Sequence, residues 1–195
     1  MLFLYKNYCK LTTHPMKTSF ITPVLAIFGL FMLNSCDKDL FDVKETFTFE
    51  HEFVVYENDD SFLEFASVNL SQKETIIGDY GSKIKKIEIL EVKYHLKAHQ
   101  GSEEQKLISF NLIASNPDGA DEKNIVDLQN VVLHDLLFNP TVLDVNTDGV
   151  EKLGNLIENQ PHTFGVKLTG QVDETPADFT VVFSFRARMT ANPLN

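Results

Sequence analysis

Apolar residues recur at every second position along most of this chain, and this alternation is the strongest constraint on its fold. It is clearest near the C-terminus, in two runs separated by the polar stretch Asp173–Pro176. The first run, over 164–172, keeps its apolar residues at even positions, and the second, over 179–189, keeps them at odd positions. Side chains two apart share one face of a strand, so the pattern predicts an antiparallel hairpin with one buried face.

Further alternating runs lie upstream, over 47–55, 62–70, 84–98 and 108–114. The apolar positions change parity between Phe65 and Val68, and again after Ile89. One extra residue in a strand exchanges its faces, so the first change predicts a bulge. The second predicts a bulge or a bend where a long strand crosses between sheets. Seven or eight strands separated by turns predict a mainly β fold, an antiparallel β-sandwich of immunoglobulin-like or jelly-roll style.

Other segments depart from this pattern. Two apolar clusters, Ile125–Leu133 and Leu136–Leu143, are expected to be strands, whereas Lys73–Gly81 suits either a helical turn or a loop. One helix is predicted near 148–159, where apolar residues recur every three or four positions. Asp148 is expected to cap this helix, and Gln160-Pro161 is expected to end it.

The N-terminal segment has a different composition. The first 35 residues contain no Asp or Glu, and Lys17 precedes an apolar run from Phe20 to Leu33. This run has the length of a secretory signal and is shorter than the roughly 20 apolar residues that a membrane-spanning helix needs. Met16 places a start codon directly before the positive charge. Residues 1–15 are then an upstream extension, and residues 16–35 form the signal peptide.

The end of this run, Leu33-Asn34-Ser35-Cys36, resembles the lipobox of bacterial lipoproteins. The resemblance implies cleavage before Cys36, lipidation of its thiol and acylation of the new amine. Two or three acyl chains anchor a protein firmly to a membrane. The acidic residues after Cys36 resemble the surface-export signals of lipoproteins from the Bacteroidota. The expected location is therefore the cell envelope, at the outer membrane, with either its periplasmic or its external face left open.

Cleavage leaves about 160 residues, expected to form a lipidated tether at 36–44 and a single β-sandwich domain at 45–195. No cysteine follows Cys36, so the core must hold the domain without an internal disulfide. The removed segment takes three of the 17 basic residues and none of the 28 acidic ones, which leaves a formal charge near −14. Such a surface repels phosphate backbones, so nucleic acid is not an expected partner.

Candidate metal ligands are few. Asp144, Asn146 and Asp148 precede Gly149 at the spacing that opens a calcium-binding EF-hand loop. The twelfth position is Asn155, whereas such a loop closes with a bidentate glutamate. A turn rich in Asp and Asn, with Asp148 as the helix cap, is the favoured interpretation. No metal and no cofactor are therefore expected.

Catalytic motifs are not found either. His95 and His99 lie four residues apart on a predicted strand, where that spacing spans about 13 Å and prevents them from sharing one metal ion. His51-Glu52 lacks the second histidine of the zinc protease motif. All three histidines are expected at the surface. The sequence has no Gly-x-Ser-x-Gly elbow and no phosphate-binding glycine loop. An enzyme is not expected.

Two functions stay open. The first is a lipid-anchored envelope β-sandwich that serves as a non-enzymatic structural or protein-interaction module. The second is a glycan-binding accessory lipoprotein of a polysaccharide-uptake system. The chain has no Trp, so Tyr56 and Tyr80 are the candidates for stacking on a sugar, against the alternative that they pack at the rim of the core. A concave patch with two exposed aromatic rings beside amides or carboxylates would favour glycans, and an unpaired strand edge or flat apolar patch would favour proteins.

Overall fold

The structure is a computed structural model that describes residues 41–194. The predicted signal peptide, the lipobox and Cys36 lie outside the described residues. The eight strands are β1 (Val43–Glu57), β2 (Ser61–Asn69), β3 (Ile84–His99), β4 (Lys106–Ser115), β5 (Lys123–Val132), β6 (Thr141–Val142), β7 (Thr163–Val172) and β8 (Ala177–Ala191). The helices are α1 (Leu70–Lys73), α2 (Thr75–Tyr80) and α3 (Thr147–Glu158), with 3₁₀ turns at Gly81–Lys83 and His134–Leu136.

The strands form two antiparallel sheets of four. The first sheet has the order β1-β8-β3-β6, and the second has the order β2-β7-β4-β5. The pairs β1–β8, β2–β7, β3–β6 and β4–β5 are those of one long hairpin wrapped into two layers, which is the jelly-roll arrangement. An immunoglobulin sheet places several sequence neighbours side by side, whereas here only β4 and β5 are adjacent. The mainly β sandwich is confirmed, and its topology is that of a jelly roll.

Aromatic rings fill the space between the sheets. The odd-numbered residues of β8 point inward, and Phe183 lies near the centre with no exposed surface. Its ring centroid is 5.8–6.4 Å from those of four neighbours, Phe53, Tyr94, Phe110 and Phe185. Each such ring removes a large apolar area from water, so these contacts between both sheets hold the layers together.

The predicted changes of face have different outcomes. In β3 the pairing with β8 shifts between Ile89 and Glu91, which confirms the bulge, and the strand stays within the first sheet. In β2 the pairing with β7 is continuous, so the bulge predicted there is wrong. Phe65 instead points outward and is 43% exposed. A bulge does occur in β4 between Leu107 and Ser109, and it turns Ile108 outward.

The second of the two apolar clusters is not a regular strand. The first cluster forms β5, but Leu136–Leu143 contains the end of a 3₁₀ turn and the two-residue strand β6. Leu136 and Leu143 are buried in the core. They are apolar because they pack there, and not because they belong to an alternating strand. The ambiguous segment Lys73–Gly81 is mostly helical.

Helix α3 closes the space between the sheets and agrees with the predicted helix. Leu153 and Ile157 are fully buried, as their spacing indicates. Two glycines allow the helix to touch strand backbone on either side. A Cβ on Gly149 would lie 2.1 Å from a carbonyl oxygen of β5, and one on Gly154 would lie 2.7 Å from a carbonyl oxygen of β3. The helix cap is Asn146 and not Asp148 as predicted, because the Asn146 Oδ1 accepts a hydrogen bond from the Asp148 backbone N–H at 2.9 Å.

Candidate functional site

The outer face of the second sheet carries almost no charge. We use the name outer face of the second sheet for the outward-pointing residues of its four strands. These are Ser61, Leu63, Phe65 and Ser67 on β2, Gly165, Lys167, Thr169 and Gln171 on β7, Ser109, Asn111, Ile113 and Ser115 on β4, and Asp127 and Gln129 on β5. Lys167 and Asp127 are the charged members of this set, and Glu57 and Glu122 stand at its margin, in a chain of which nearly a quarter of the residues are charged.

A groove of about 540 Å³ lies on this face. Hydroxyl and amide groups form much of its wall, and apolar carbon comes mainly from the β2 side. Its lining residues are Glu57, Ser61, Phe62, Leu63, Ser109, Asn111, Thr169, Gly170 and Gln171. The groove is open, and it offers both apolar surface and hydrogen-bonding groups to a ligand lying on the sheet.

The strand register brings the polar groups together. Gln171 pairs with Ser109 on one side, and Thr169 pairs with Asn111 in the next row. Side chains directly opposite each other in an antiparallel pair are about 4.5–5.5 Å apart at Cβ, so these four form one continuous polar surface. The bulge in β4 sets the row, since it places Ser109 on the outer side opposite Gln171.

The exposed ring of Phe65 packs against glycine residues. Phe65 lies close to Gly165, where a Cβ would be 2.9 Å from the ring, and close to the turn at Gly119. The absence of side chains at these positions lets the ring rest against the sheet. Leu63 continues the apolar surface along β2 and is mostly exposed. The edge of the groove therefore offers a flat apolar strip beside hydrogen-bonding groups.

The outer face of the first sheet is different in kind, because it carries cross-strand ion pairs. Arg188 Nε is 2.9 Å from Glu88 Oε2, and Lys97 Nζ is 2.9 Å from Glu52 Oε2. Hydrogen bonds from Lys86 and then Arg188 lower the pKa of Glu88. Paired, solvated charges of this kind are typical of an exposed face that needs only to stay soluble. The outer face of the second sheet differs from it in having mostly neutral polar and apolar side chains.

The two predicted stacking residues do not meet. Tyr56 is at the end of β1 and is 66% exposed. Tyr80 donates a hydrogen bond from its hydroxyl to Glu45 Oε1 at 3.1 Å, near the start of the same strand, and this bond raises the pKa of Tyr80. Eleven residues at roughly 3.3 Å each separate Glu45 from Tyr56, or about 36 Å along the strand. The two rings cannot stack on one small ligand, and neither lines the groove.

The residues that do line the groove were missed by the sequence reasoning. Ser109, Asn111, Thr169 and Gln171 occupy the exposed positions of their strands, where small polar residues are common. The available signal was the scarcity of charge at these positions in a strongly acidic chain. The outward apolar residue Phe65 was a second signal, and it was instead explained by a bulge.

The calcium candidates lie at the start of α3. Asp144, Asn146 and Asp148 are exposed, and the Asn146 side-chain oxygen is already used in capping the helix. Gly149 packs against the backbone of β5, which explains its presence without a metal-binding turn. Within residues 41–194, no three His, Cys, Asp or Glu side chains cluster closely enough to hold a metal ion.

His51 is not a surface residue as expected. It is half-buried, its ring meets Phe53 edge-on at 4.6 Å, and its buried Nε2 has no hydrogen-bond partner among residues 41–194. Burial, and after it the nearby Lys73 cation, lower the pKa of His51 from 6.5 to about 4, while Glu52 opposes the shift. His99 Nε2 lies 2.7 Å from Gln105 Oε1, so this histidine takes part in a local hydrogen bond.

Among residues 41–194, no helix combines the length and the hydropathy that crossing a bilayer requires.

No family model matches the chain, and no curated protein matches it. Among solved structures, it is similar to a chain from desmodium yellow mottle tymovirus, with a TM-score of 0.34 and 6% sequence identity. The match covers 78% of this chain and 91% of that one. A likeness this distant carries no argument about function.

Proposed function

We propose that this protein is a lipid-anchored component of the bacterial cell envelope that binds glycans, without catalysis, on the outer face of its second sheet. The observation that carries the proposal is the groove of about 540 Å³, whose lining combines hydroxyl and amide groups with apolar surface on a face with few charged residues. The scarcity of charge on this face of a strongly acidic chain supports a binding role.

The chemistry of the groove suits sugars. Asn111 and Gln171 each offer an amide that both donates and accepts hydrogen bonds, and Thr169 adds a hydroxyl. Sugar hydroxyls need partners of both kinds. Leu63, which lines the groove, supplies apolar surface for the C–H face of a sugar ring, and Phe65 lies one row beyond it on the same face. The groove therefore has the hydrogen-bonding groups of a glycan site, and the face has one of the two exposed aromatic rings expected of such a site.

The proposed anchor agrees with this use of the groove. The lipobox resemblance places the lipid on Cys36, a few residues before the chain enters the domain at Val43. Glu57, which lines the groove, is at the other end of β1, about 46 Å away at roughly 3.3 Å per residue. Within the domain, Val43 and the groove are thus at opposite ends of β1.

A glycan array on the lipid-free chain from Lys38 to Asn195 tests the binding. We expect binding to at least one glycan class, and an affinity about 5- to 150-fold weaker in the double variant Asn111→Ala with Gln171→Ala, since each lost hydrogen bond is worth about 0.5–1.5 kcal/mol. The matched control is Ser184→Ala, which removes a polar group from the outer face of the first sheet. No binding across a broad array would refute the proposal.

The anchor has its own test. Mass spectrometry of the native protein should find an acylated N-terminus at Cys36, and Cys36→Ala should release the protein from the membrane fraction. A native chain that begins at Met1 or Met16 would contradict the lipidation, and it would leave the glycan proposal untouched.

A protein-interaction module is the second candidate, and one observation favours it. Strand β1 is a sheet edge of 15 residues, without a bulge, and within the described chain it pairs only with β8. Long unpaired edges are templates for an added strand. A photo-crosslinker at the exposed Val54 should trap an envelope protein in cells if β1 is the interface, and one at Leu63 should not. The reverse result would refute this candidate.

A further inference from the structure

We infer that the groove selects uncharged glycans and rejects those that carry carboxylate, sulfate or phosphate groups. This inference rests on the proposed glycan binding and adds to it the class of ligand. It follows from the carboxylates beside the groove, from the ion pairing of Lys167 and from the placement of both arginines.

The charged groups next to the groove are acidic. Glu57 is part of its lining, and Asp127 stands beside Asn111 in the register of β4 and β5. Both carboxylates lie at the surface, where they repel an anionic group brought into the groove. The formal charge near −14 of the chain after cleavage adds an unfavourable field over longer distances. An anionic ligand would have to overcome both effects.

The one cation of this face does not offset them. Lys167 is ion-paired with Glu122 through its ammonium group, and its side chain is largely covered. It pairs in register with Phe65 and Ile113, one row beyond the hydroxyl and amide groups. A bound anion would have to displace Glu122 to use this charge.

The side chain best suited to bind anions is absent from the groove. Arginine recognises carboxylate, sulfate and phosphate through a planar pair of N–H groups. The whole sequence has only two arginines, Arg186 and Arg188. Both point outward from β8 in the first sheet, and Arg188 is bound to Glu88. The groove instead holds neutral amides and hydroxyls, which match neutral sugar hydroxyls.

Paired polysaccharides of the same backbone test the inference. The lipid-free protein is titrated with dextran and dextran sulfate, and with neutral and glucuronate-substituted xylan, together with the neutral ligands that an array identifies. We expect at least a tenfold preference for the neutral member of a pair that binds, with little change of that affinity between low and high salt. Equal or tighter binding of the anionic member would overturn the inference and leave glycan binding intact. Binding to no glycan at all would overturn both.

A charge reversal gives the second arm. Asp127→Lys places a cation beside Asn111, and we expect it to raise the affinity for the anionic polysaccharide at least threefold at low salt, with the gain lost at high salt. Glu50→Lys makes the same change of charge on the outer face of the first sheet, and it should raise the affinity for the anionic polysaccharide by a smaller factor. Equal gains in the two variants would show that net charge alone decides, and would contradict selection by the groove.

Discussion

The half-buried His51 predicts how stability depends on pH. Its pKa is about 4 in the folded protein and about 6.5 in an unfolded chain. Above pH 6.5 both states hold the neutral imidazole, so this stability is fully present. Between pH 6.5 and 4 the unfolded state binds a proton that the folded state excludes, so stability falls as the pH falls. Below about pH 4 both states are protonated, and the loss is complete.

The size of the loss follows from the shift. At about 1.4 kcal/mol for each pKa unit, moving from 6.5 to about 4 corresponds to at most about 3.4 kcal/mol. The imidazole is only half-buried, so water screens part of this interaction, and we expect about 1–2 kcal/mol. The carboxylates titrate in the same range, so the effect must be measured as a difference between two proteins.

Urea unfolding at several pH values isolates this difference. We compare the wild type with His51→Gln and expect the wild type to lose about 1–2 kcal/mol relative to the variant between pH 7.5 and 4. The matched control is His134→Gln, which removes an exposed imidazole. A difference between wild type and His51→Gln that stays constant with pH, or that grows in the opposite direction, would refute the role assigned to burial.

Four substitutions and one addition of calcium test the packing, the helix cap and the calcium candidates. Gly149→Ala and Gly154→Ala each force a Cβ against strand backbone, so each should destabilise the protein by about 1–3 kcal/mol in urea unfolding, despite the higher helix propensity of alanine. Phe183→Ala should cost about 3–5 kcal/mol in the same assay, and a loss below about 1 kcal/mol would contradict its central place in the core. Asn146→Ala should cost about 1 kcal/mol of stability through the lost cap. Millimolar Ca²⁺ should leave the melting temperature of the wild type unchanged. A rise of several degrees would instead support calcium binding at Asp144, Asn146 and Asp148.

Much of the local structure was readable from the sequence, because burial on one face of a strand leaves a signal at every second residue. The faces of β1, β7 and β8, the bulge in β3 and the span of α3 all followed from such patterns. The jelly-roll order did not, since β1 and β8 pair across nearly the whole described chain. No local pattern specifies that partnership.

The error in β2 is informative about the site. An outward Phe65 produces the same change of parity as a bulge, so a sequence pattern alone cannot separate a change of register from an apolar residue kept on an exposed face. The groove was missed for a related reason. Its hydroxyl and amide groups come from three strands that only the folded register brings into one row, and each strand alone looks like an ordinary exposed surface.

The pairing of β1 with β8 also decides when this protein can fold. Val43 pairs with Ala191, and Glu57 pairs with Ala177, so the first strand has no partner until the last strand is available. Contacts this far apart in sequence slow folding, because the intervening chain must be ordered before they form. During synthesis the N-terminal strand, which contains Phe47, Phe49 and Phe53, is made first and stays unpaired until β8 follows. A chain of this topology therefore exposes an aggregation-prone strand until its C-terminal strand has been made.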